Sequence, residues 1–201
     1  MKLVAITLDK RIIYEDEVIN RLFEDGLSAL HLRKPLHCQR DVRDLLYHIN
    51  PDFHNRIVLH DHFHLIEDFD LKGVHLNRRN PETPENKMIS VSRSCHSFEC
   101  LQLSPSFDYM FLSPIFNSIS KPGYNQAYSH DQLIDARNLG IINEKVYALG
   151  GMDENTIPLV SEYGFGGAVV LGSLWGDFEN DKDGVGVLER FHKLKDICNQ
   201  Q

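Results

Sequence analysis

Imidazole, guanidinium and carboxyl side chains directly follow several short apolar runs of this chain. One run ends in His31 and Arg33, and a later run is followed by His60 and Asp61. Imidazole exchanges protons near neutral pH, and guanidinium binds phosphate and carboxylate groups. Because side chains alternate along a strand, His31 and Arg33 share one face, which points inward if the neighbouring leucines pack outward. The other polar residues in comparable positions are His75, Asn77, Ser92, Ser94, His96 and Ser113.

The histidines allow more than one interpretation. Any single one could be a hydrogen-bonded residue of the interior, whereas several that converge on one edge are harder to explain by packing alone. A zinc site is a further alternative, but the chain contains no H-E-x-x-H motif, which is the pattern that would place two ligands on one helical face.

Two glycine-containing turns are typical of phosphate-binding backbone. Gly150 and Gly151 follow the seventh apolar run, and Gly172 and Ser173 follow the eighth. A phosphate oxygen approaches backbone N–H groups closely where no Cβ intervenes, and barrel enzymes often bind phosphate after their last two strands. A tight strand-to-helix turn is the alternative, but the occurrence of two such turns favours phosphate binding.

The segment 113–124, SPIFNSISKPGY, combines hydroxyl groups, turn-forming residues and one lysine. Loops of this composition can surround a phosphate or diphosphate with N–H groups, hydroxyls and a cation. An ordinary surface loop with proline and glycine at its turns is the alternative for this segment.

These residues need elements that bring them together, and the apolar runs supply eight candidate strands. The runs are Leu3–Leu8, Ala29–Leu32, Arg56–Leu59, Gly73–Leu76, Met88–Val91, Tyr109–Leu112, Val146–Leu149 and Gly167–Leu171. Between these runs, apolar residues occur at helical spacing in the stretches Glu15–Asp25, Asp41–Ile49, His130–Asn138, Glu154–Tyr163 and Gly184–Ile197. Asn77–Lys87 is too polar for a full helix.

Alternating strands and helices predict parallel strands joined by crossovers. We expect one compact α/β domain over residues 1–201, a (β/α)8 TIM barrel, with a flavodoxin-like open sheet as the alternative fold. In either fold a ligand binds beyond the carboxyl ends of the strands, which is where the polar residues described above lie.

Composition narrows the class of protein. The 201 residues carry a formal net charge of −8, which disfavours non-specific binding to nucleic acid or to an anionic membrane. No stretch approaches the roughly 20 apolar residues of a membrane span, and the amino terminus does not resemble a signal peptide. The four cysteines have no C-x-x-C pairing and need no disulfides. We expect a cytoplasmic protein, and its apolar helix faces leave a homo-oligomer open.

Seven segments, in order along nearly the whole chain, resemble motifs of the thiamine phosphate synthase family and of its sister group, the TenI thiazole tautomerases. The segments are LHLRKP (30–35), LHDHFHL (59–65), GVHLNRRN (73–80), SVSRSCHS (90–97), DYMFLSPIFNSISKPGY (108–124), YALGGMDENT (147–156) and GGAVVLGSLW (166–175).

The resemblance implies that diphosphate is displaced from hydroxymethylpyrimidine diphosphate by the ring nitrogen of a thiazole phosphate. Charge stabilisation should then dominate over proton transfer. It implies that Arg33, Lys121, Ser118 and Ser120 hold the diphosphate, that Asp61 binds Mg2+, and that Ser94 places the pyrimidine. The glycine turns, with Gly151, Gly172 and Ser173, would seat the thiazole phosphate.

The chain departs from the family pattern at several of these positions. It has His31 and His60 where the synthases have Gln and Asn, Pro35 in place of a lysine, and Asn80 in place of the second metal-binding aspartate. Lys34 could replace the lost lysine, although as a neighbour it should point the other way. A neutral Asn80 would weaken the Mg2+ site.

A tautomerase and a non-catalytic thiazole phosphate-binding regulator remain as alternatives to a synthase. The tautomerases use a histidine at the position of Pro114, so a tautomerase here would need another imidazole. His31, His60 and His96 are the candidates for this proton-transferring group.

Overall fold

The structure is a computed structural model that describes residues 1–85, 89–103, 106–117, 126–176, 178 and 184–201. Eight strands pair in parallel in the order of the chain, and the last strand pairs with the first. The closed (β/α)8 barrel predicted from the sequence is therefore confirmed, and the open sheet is excluded. Among the described residues, no helix is both long and apolar enough to cross a bilayer.

The elements follow the predicted apolar runs closely. The strands are β1 (Lys2–Ile6), β2 (Ala29–Leu32), β3 (Ile57–Leu59), β4 (Gly73–Leu76), β5 (Ser90–Cys95), β6 (Tyr109–Leu112), β7 (Val146–Leu149) and β8 (Gly167–Val170). The helices are α1 (Glu15–Glu24), α2 (Gln39–His48), α3 (Phe98–Gln102), α4 (His130–Asn138), α5 (Ile157–Glu162), α6 (Gly172–Trp175) and α7 (Val185–Asn199). Short 3-10 segments cover Pro51–Arg56 and Phe63–Glu67.

Most of the predicted boundaries that differ from the structure do so by one or two residues, but two were wrong by three or more. β5 runs from Ser90 to Cys95, because serines rather than apolar residues line its inner face, so the apolar pattern breaks off early. α5 begins at Ile157 instead of Glu154. The reason is a turn in which the Asp153 carboxylate accepts hydrogen bonds from the backbone N–H groups of Asn155 and Thr156, both at 2.9 Å.

The barrel separates two apolar layers. Leu30 and Leu32 of β2 belong to the large layer between strands and helices. The interior holds a smaller cluster formed by Val4, Ile6, Ala29, Tyr109, Phe111, Tyr147 and Val169. The outward leucines fix the alternation of β2, so His31 points into the interior, as the sequence pattern predicted.

Cys95 and Cys100 form a disulfide between the end of β5 and α3, with their Cα atoms 5.5 Å apart. This pairing corrects the expectation of four unpaired cysteines. A separation of five residues carries no recognisable spacing signal, and the turn from β5 into α3 is what brings the two side chains together.

A buried ion pair attaches the end of β2 to the start of α1. Lys34 Nζ lies 2.6 Å from Glu15 Oε1, and the two side chains are 2% and 0% exposed. Lys34 also donates to the carbonyl oxygens of Leu8 and Lys10. Burial raises the pKa of Glu15 and lowers that of Lys34, while each charge acts on its partner in the opposite direction. Lys34 thus points away from the barrel mouth and does not replace the lysine lost at Pro35.

Removal of one partner of this pair should destabilise the protein strongly. Lys34→Met leaves an uncompensated carboxylate in the interior, and we expect the free energy of unfolding to fall by about 3–5 kcal/mol. The double variant Glu15→Leu/Lys34→Met should regain most of that loss, because no charge then stays buried. Urea unfolding of the single and double variants measures both effects. Equal stability of Lys34→Met and the unsubstituted protein would contradict the assignment.

Candidate active site

A cavity of about 400 Å³ opens at the carboxyl ends of the strands. Every strand, or the loop that follows it, contributes to its wall. Its volume lies within the usual range for small-molecule sites, which is roughly 300–1,000 Å³. Ile6, Phe111 and Val169 supply apolar surface from the barrel interior, and the polar residues of the wall come from the loops and, at Ser94, from β5. The parallel arrangement therefore produces one mixed polar and apolar site at one rim.

The two glycine turns face this same cavity. Gly150 and Gly151 lie on its wall, and Gly172 does so at the start of α6. Gly150 and Gly151 have φ values of 101° and 67°, in the region that favours glycine. A Cβ on Gly151 would lie 2.5 Å from the Asn117 carbonyl oxygen. At Gly150 and Gly151 the backbone thus lines the cavity without a side chain, because the loop after β6 occupies the place of a Cβ.

Ser173 lies next to Gly172 but does not line the cavity. Its Oγ is buried and has no hydrogen-bond partner among the described residues. The N–H groups of residues 172 and 173 begin a helix, so they have no partner within it. The structure thus places the hydroxyl beside these N–H groups but not on the cavity wall, and the contact of Ser173 with a phosphate stays a prediction.

Three guanidinium groups line the cavity of a protein whose net charge is −8. They belong to Arg33, Arg78 and Arg79. Thr7 fixes the backbone at the first of them, since its hydroxyl donates to the Arg33 carbonyl oxygen and accepts from the Arg33 N–H, at 3.1 and 2.9 Å. The local positive charge on this rim suits a phosphorylated ligand.

Asp61 and Asn80, the expected Mg2+ ligands, do not fit a metal site. The Asp61 carboxylate accepts hydrogen bonds from the Arg79 guanidinium and from the backbone N–H of Lys34. The side-chain amide of Asn80 directs its NH2 group at the His60 carbonyl oxygen and at Asp61. Neither residue lines the cavity. Their oxygens are not arranged as the open set of hard ligands that Mg2+ requires.

Three histidines meet beneath the cavity. His31, His60 and His75 come from the ends of β2, β3 and β4, and their nearest ring nitrogens lie within 4.8 Å of one another. His31 Nδ1 lies 2.8 Å from His60 Nε2, and His31 Nε2 lies 2.8 Å from the Tyr109 hydroxyl. In the part of the chain that the structure describes, this is the one group of three residues that could hold a metal ion.

Hydrogen bonds to other groups already use the ring nitrogens of this cluster. His75 Nδ1 lies 2.9 Å from Ser92 Oγ, and its Nε2 lies 2.8 Å from Ser94 Oγ. Both nitrogens of His31 are also hydrogen-bonded. A metal ion would have to break these bonds, and imidazole nitrogen is not a ligand that Mg2+ prefers. The cluster therefore acts as a network of neutral donors and acceptors.

Burial keeps these three imidazoles neutral. It lowers the pKa of His75 to about 3, with a smaller contribution from Arg93. Burial also lowers the pKa of His31 and of His60 well below the ordinary value, and the neighbouring histidines act in the same direction. His60 lines the cavity, whereas His31 is fully buried below it. His31 thus faces inward, as the alternation along the strand predicted, but its ring lies one layer deeper than Arg33 and does not reach the barrel mouth.

Ser94 and His96 also face the cavity, as the sequence predicted. Ser94 links the cavity wall to His75. Nδ1 of His96 lies 3.0 Å from the Ser113 carbonyl oxygen, which only accepts, so Nδ1 carries the proton and Nε2 is the basic nitrogen. Ser118, Ser120 and Lys121 lie outside the described residues, and their proposed contacts with diphosphate stay a prediction.

Sequence reasoning missed Tyr109, Arg78 and Arg79. Tyr109 was assigned to an apolar run, although its hydroxyl bonds His31 inside the barrel. Arg78 and Arg79 lie within the motif segment 73–80, for which the resemblance implies no role for either arginine. Two adjacent cations directly after a strand end, in an acidic chain, were the signal that could have identified them.

The neutral histidines predict how stability depends on pH. The unfolded chain protonates His75 below its ordinary pKa of 6.5, whereas the folded protein keeps it neutral down to about pH 3. The unfolded state therefore binds more protons as the pH falls. Between pH 7 and 5 this histidine alone should cost about 2 kcal/mol of stability. In His75→Gln we expect a correspondingly smaller loss between these two pH values.

Urea unfolding at pH 7 and pH 5 measures that difference. His64→Gln, which removes an exposed imidazole, is the matched control and should keep the full loss of stability. The same loss in His75→Gln as in the control would rule out a neutral His75 in the folded state.

Comparison with known proteins gives consistent matches over the chain. A family model described as thiamine monophosphate synthase matches residues 3–174. The structure of thiamine phosphate pyrophosphorylase from Bacteroides thetaiotaomicron superposes with a TM-score of 0.91 at 42% identity, covering 100% of this chain and 99% of that chain.

Two more distant matches agree with this result. The thiamine phosphate pyrophosphorylase of Pyrococcus furiosus shares the fold, with a TM-score of 0.67 at 18% identity over 96% of each chain. The thiamine-phosphate synthase of Limosilactobacillus reuteri is 22% identical in an alignment of 180 residues. That alignment covers 85% of this chain and 79% of that protein.

Proposed function

We propose that this chain, which belongs to the thiamine monophosphate synthase family, joins hydroxymethylpyrimidine diphosphate to thiazole phosphate and releases diphosphate. The thiazole ring nitrogen forms a bond to the methylene carbon of the pyrimidine while the C–O bond to diphosphate breaks. The electron pair of that bond leaves with diphosphate. The observation that carries the proposal is one cavity that joins two glycine turns to three arginines.

The two anionic groups of the reaction have different partners on this rim. The turns at Gly151 and Gly172 suit the phosphate ester of the thiazole. The arginines lie after β2 and β4 and suit the diphosphate, whose negative charge grows as it leaves. Charge thereby anchors the phosphate groups of each substrate, and the heterocyclic rings pack against the apolar part of the cavity wall.

The floor of the cavity favours charge stabilisation over proton transfer. His60 is held neutral by burial and by its histidine neighbours, and a pKa lowered in this way makes imidazole a weak base. The ring of Phe111 also lines the cavity, next to the rings of His31 and His75, and adds apolar surface on which a planar heterocycle can pack. A carbon centre that develops positive charge would find neutral imidazole and aromatic groups there.

The test is incubation of the full-length protein with both phosphorylated precursors, followed by detection of thiamine phosphate by mass. We expect product only when both precursors are present. Binding of thiazole phosphate, seen as a raised melting temperature, without any product would refute the synthase and leave the non-catalytic binder.

A substitution at the glycine turn tests the phosphate site directly. Gly151→Ala introduces a Cβ at a φ of 67° and close to the Asn117 carbonyl oxygen. We expect the KM for thiazole phosphate to rise about tenfold or more, because the turn must move away from the ligand. Steady-state kinetics with varied thiazole phosphate measures this change.

Gly140→Ala is the matched control for the backbone strain. Gly140 has a φ of 70°, and nothing lies within 4 Å of a Cβ placed there. Gly140→Ala should lose about 1 kcal/mol of stability from this strain and keep the KM of the unsubstituted protein. Gly151→Ala should lose more, because its Cβ also meets the Asn117 carbonyl oxygen at 2.5 Å. An equal KM in the two variants would contradict the proposal that the thiazole phosphate binds at the turn of Gly151.

One observation favours a thiazole tautomerase as the second candidate. The imidazoles of His60 and His96 both line the cavity, and Nε2 of His96 is the basic nitrogen. A tautomerase would need such a group to move a proton within the thiazole phosphate. His60→Ala and His96→Ala in an isomerisation assay decide this alternative, since unchanged rates in both variants would exclude these two histidines as the proton-transferring groups.

A further inference from the structure

We infer that the guanidinium of Arg79, held by Asp61, takes the place of a divalent cation at this rim, so that the protein binds the diphosphate group without Mg2+. This inference rests on the proposed function for the identity of the anion. It begins from the observation that the carboxylate of Asp61, which follows β3, is already paired with a cationic side chain of the protein.

The contacts of Asp61 leave little of its carboxylate for a metal. Oδ1 accepts from Arg79 Nε at 3.2 Å, from Arg79 Nη2 at 2.9 Å and from Asn80 Nδ2 at 3.3 Å. Oδ2 accepts from the backbone N–H of Lys34 at 3.2 Å. The Asp61 side chain is 10% exposed. A metal ion could approach only by displacing donors from a nearly buried oxygen.

Asn80 cannot supply the missing ligand in this arrangement. Its Nδ2 lies 2.9 Å from the carbonyl oxygen of His60. A carbonyl oxygen only accepts, so the side-chain atom facing it must be the NH2 group. That same NH2 group faces Asp61. The side chain thus presents donors to the carboxylate, where an aspartate would have presented a second negative charge.

The charge balance leads to the same conclusion. Asp61 and Arg79 together are neutral, whereas a Mg2+ ion placed beside them would put two cationic groups against one carboxylate. Hard divalent cations are usually bound through one or two carboxylates plus the phosphates of the ligand. Here Arg33 and Arg78 line the same cavity and add further positive charge. The anion therefore finds fixed protein cations where it would otherwise bring a metal.

Arg79 is well placed for this role. It lines the cavity and its side chain is 45% exposed. A guanidinium has five N–H donors, and the two contacts with Asp61 leave three that can point at a ligand. Asp61 fixes the plane of the group, so the remaining N–H donors are oriented before the ligand arrives. Asp61 then acts as a positioning residue for Arg79.

Calorimetric titration with inorganic diphosphate, in EDTA and in excess Mg2+, tests the inference on the full-length protein. We expect the Kd in EDTA to lie within about threefold of the Kd in Mg2+. Arg79→Gln should weaken binding in EDTA by about tenfold or more, because it removes charge-assisted hydrogen bonds. Arg43→Gln breaks a similar Arg–Asp pair with Asp68, away from the cavity wall, and should bind as the unsubstituted protein does.

A gain-of-function variant makes the test sharper. Arg79→Gln/Asn80→Asp provides two carboxylates and no guanidinium at this position. We expect its binding of diphosphate to depend on Mg2+, with a Kd about tenfold higher in EDTA. A thermal melt of each variant shows that it is folded before the titration. Arg79→Lys keeps the charge but loses the planar fork, and should bind diphosphate less tightly than the unsubstituted protein.

The outcomes separate this inference from the proposed function. Loss of diphosphate binding in EDTA by the unsubstituted protein, no binding in either condition, or unchanged affinity in Arg79→Gln would each overturn the role of Arg79. Thiamine phosphate formed only in Mg2+ would overturn it while the proposed function stands. Metal-independent binding of diphosphate without any thiamine phosphate formed would refute the synthase and support the site.

Discussion

Pairing between β8 and β1 is the constraint on which the rest of this molecule depends. Lys2 to Ala5 align with Gly167 to Val170, and this ladder turns an alternating chain into a ring. Only in a closed ring do the loops after β2 and β4 lie opposite the turns after β7 and β8. The arginines and the glycine turns, which are far apart in the sequence, therefore share one cavity. The Trp175 indole N–H, donating to the Ile6 carbonyl oxygen at 2.7 Å, attaches α6 to the end of β1 at this junction.

The closed barrel also separates neutral groups in its interior from cationic groups at its rim. Its interior is sealed from water, so burial holds His31, His60 and His75 neutral. The rim above them is open to solvent and carries the guanidinium groups. A ligand in the cavity is thus held between cationic groups at the rim and neutral, hydrogen-bonded rings at the floor. This division suits a reaction in which an anion leaves and the carbon centre left behind becomes positive.

The ion pairs of the chain show two uses of the same chemistry. Lys34 and Glu15 are completely buried, and their pair fixes the end of β2 to α1. Asp61 and Arg79 lie at the edge of the cavity, where the arginine stays partly exposed. The first pair contributes to the architecture. The second keeps a cation available to a ligand while it removes the carboxylate from competition.

Much of the fold and part of the site followed from sequence alone. The eight apolar runs, the helical spacing between them and the paired glycine turns are local patterns, and parallel topology places all strand ends at one rim. The family motifs identified the same positions, including the change to Asn80. These inferences hold because the periodicity of side chains along a strand or helix is set by the backbone. Ser118, Ser120 and Lys121 lie outside the described residues, so their role stays a prediction from composition and resemblance.

Only the tertiary structure decided how deep each side chain lies and what it contacts. His31 lies in β2 and Arg33 directly follows it, two residues further on, yet one lies under the cavity and the other on its wall, because the tilt and stagger of a barrel set depth. Tyr109 reaches His31 across 78 residues of sequence, and the Arg79–Asp61 pair depends on how two loops fold against each other. Local spacing determines which residues reach the rim, but long-range packing determines which of them are free to bind a ligand.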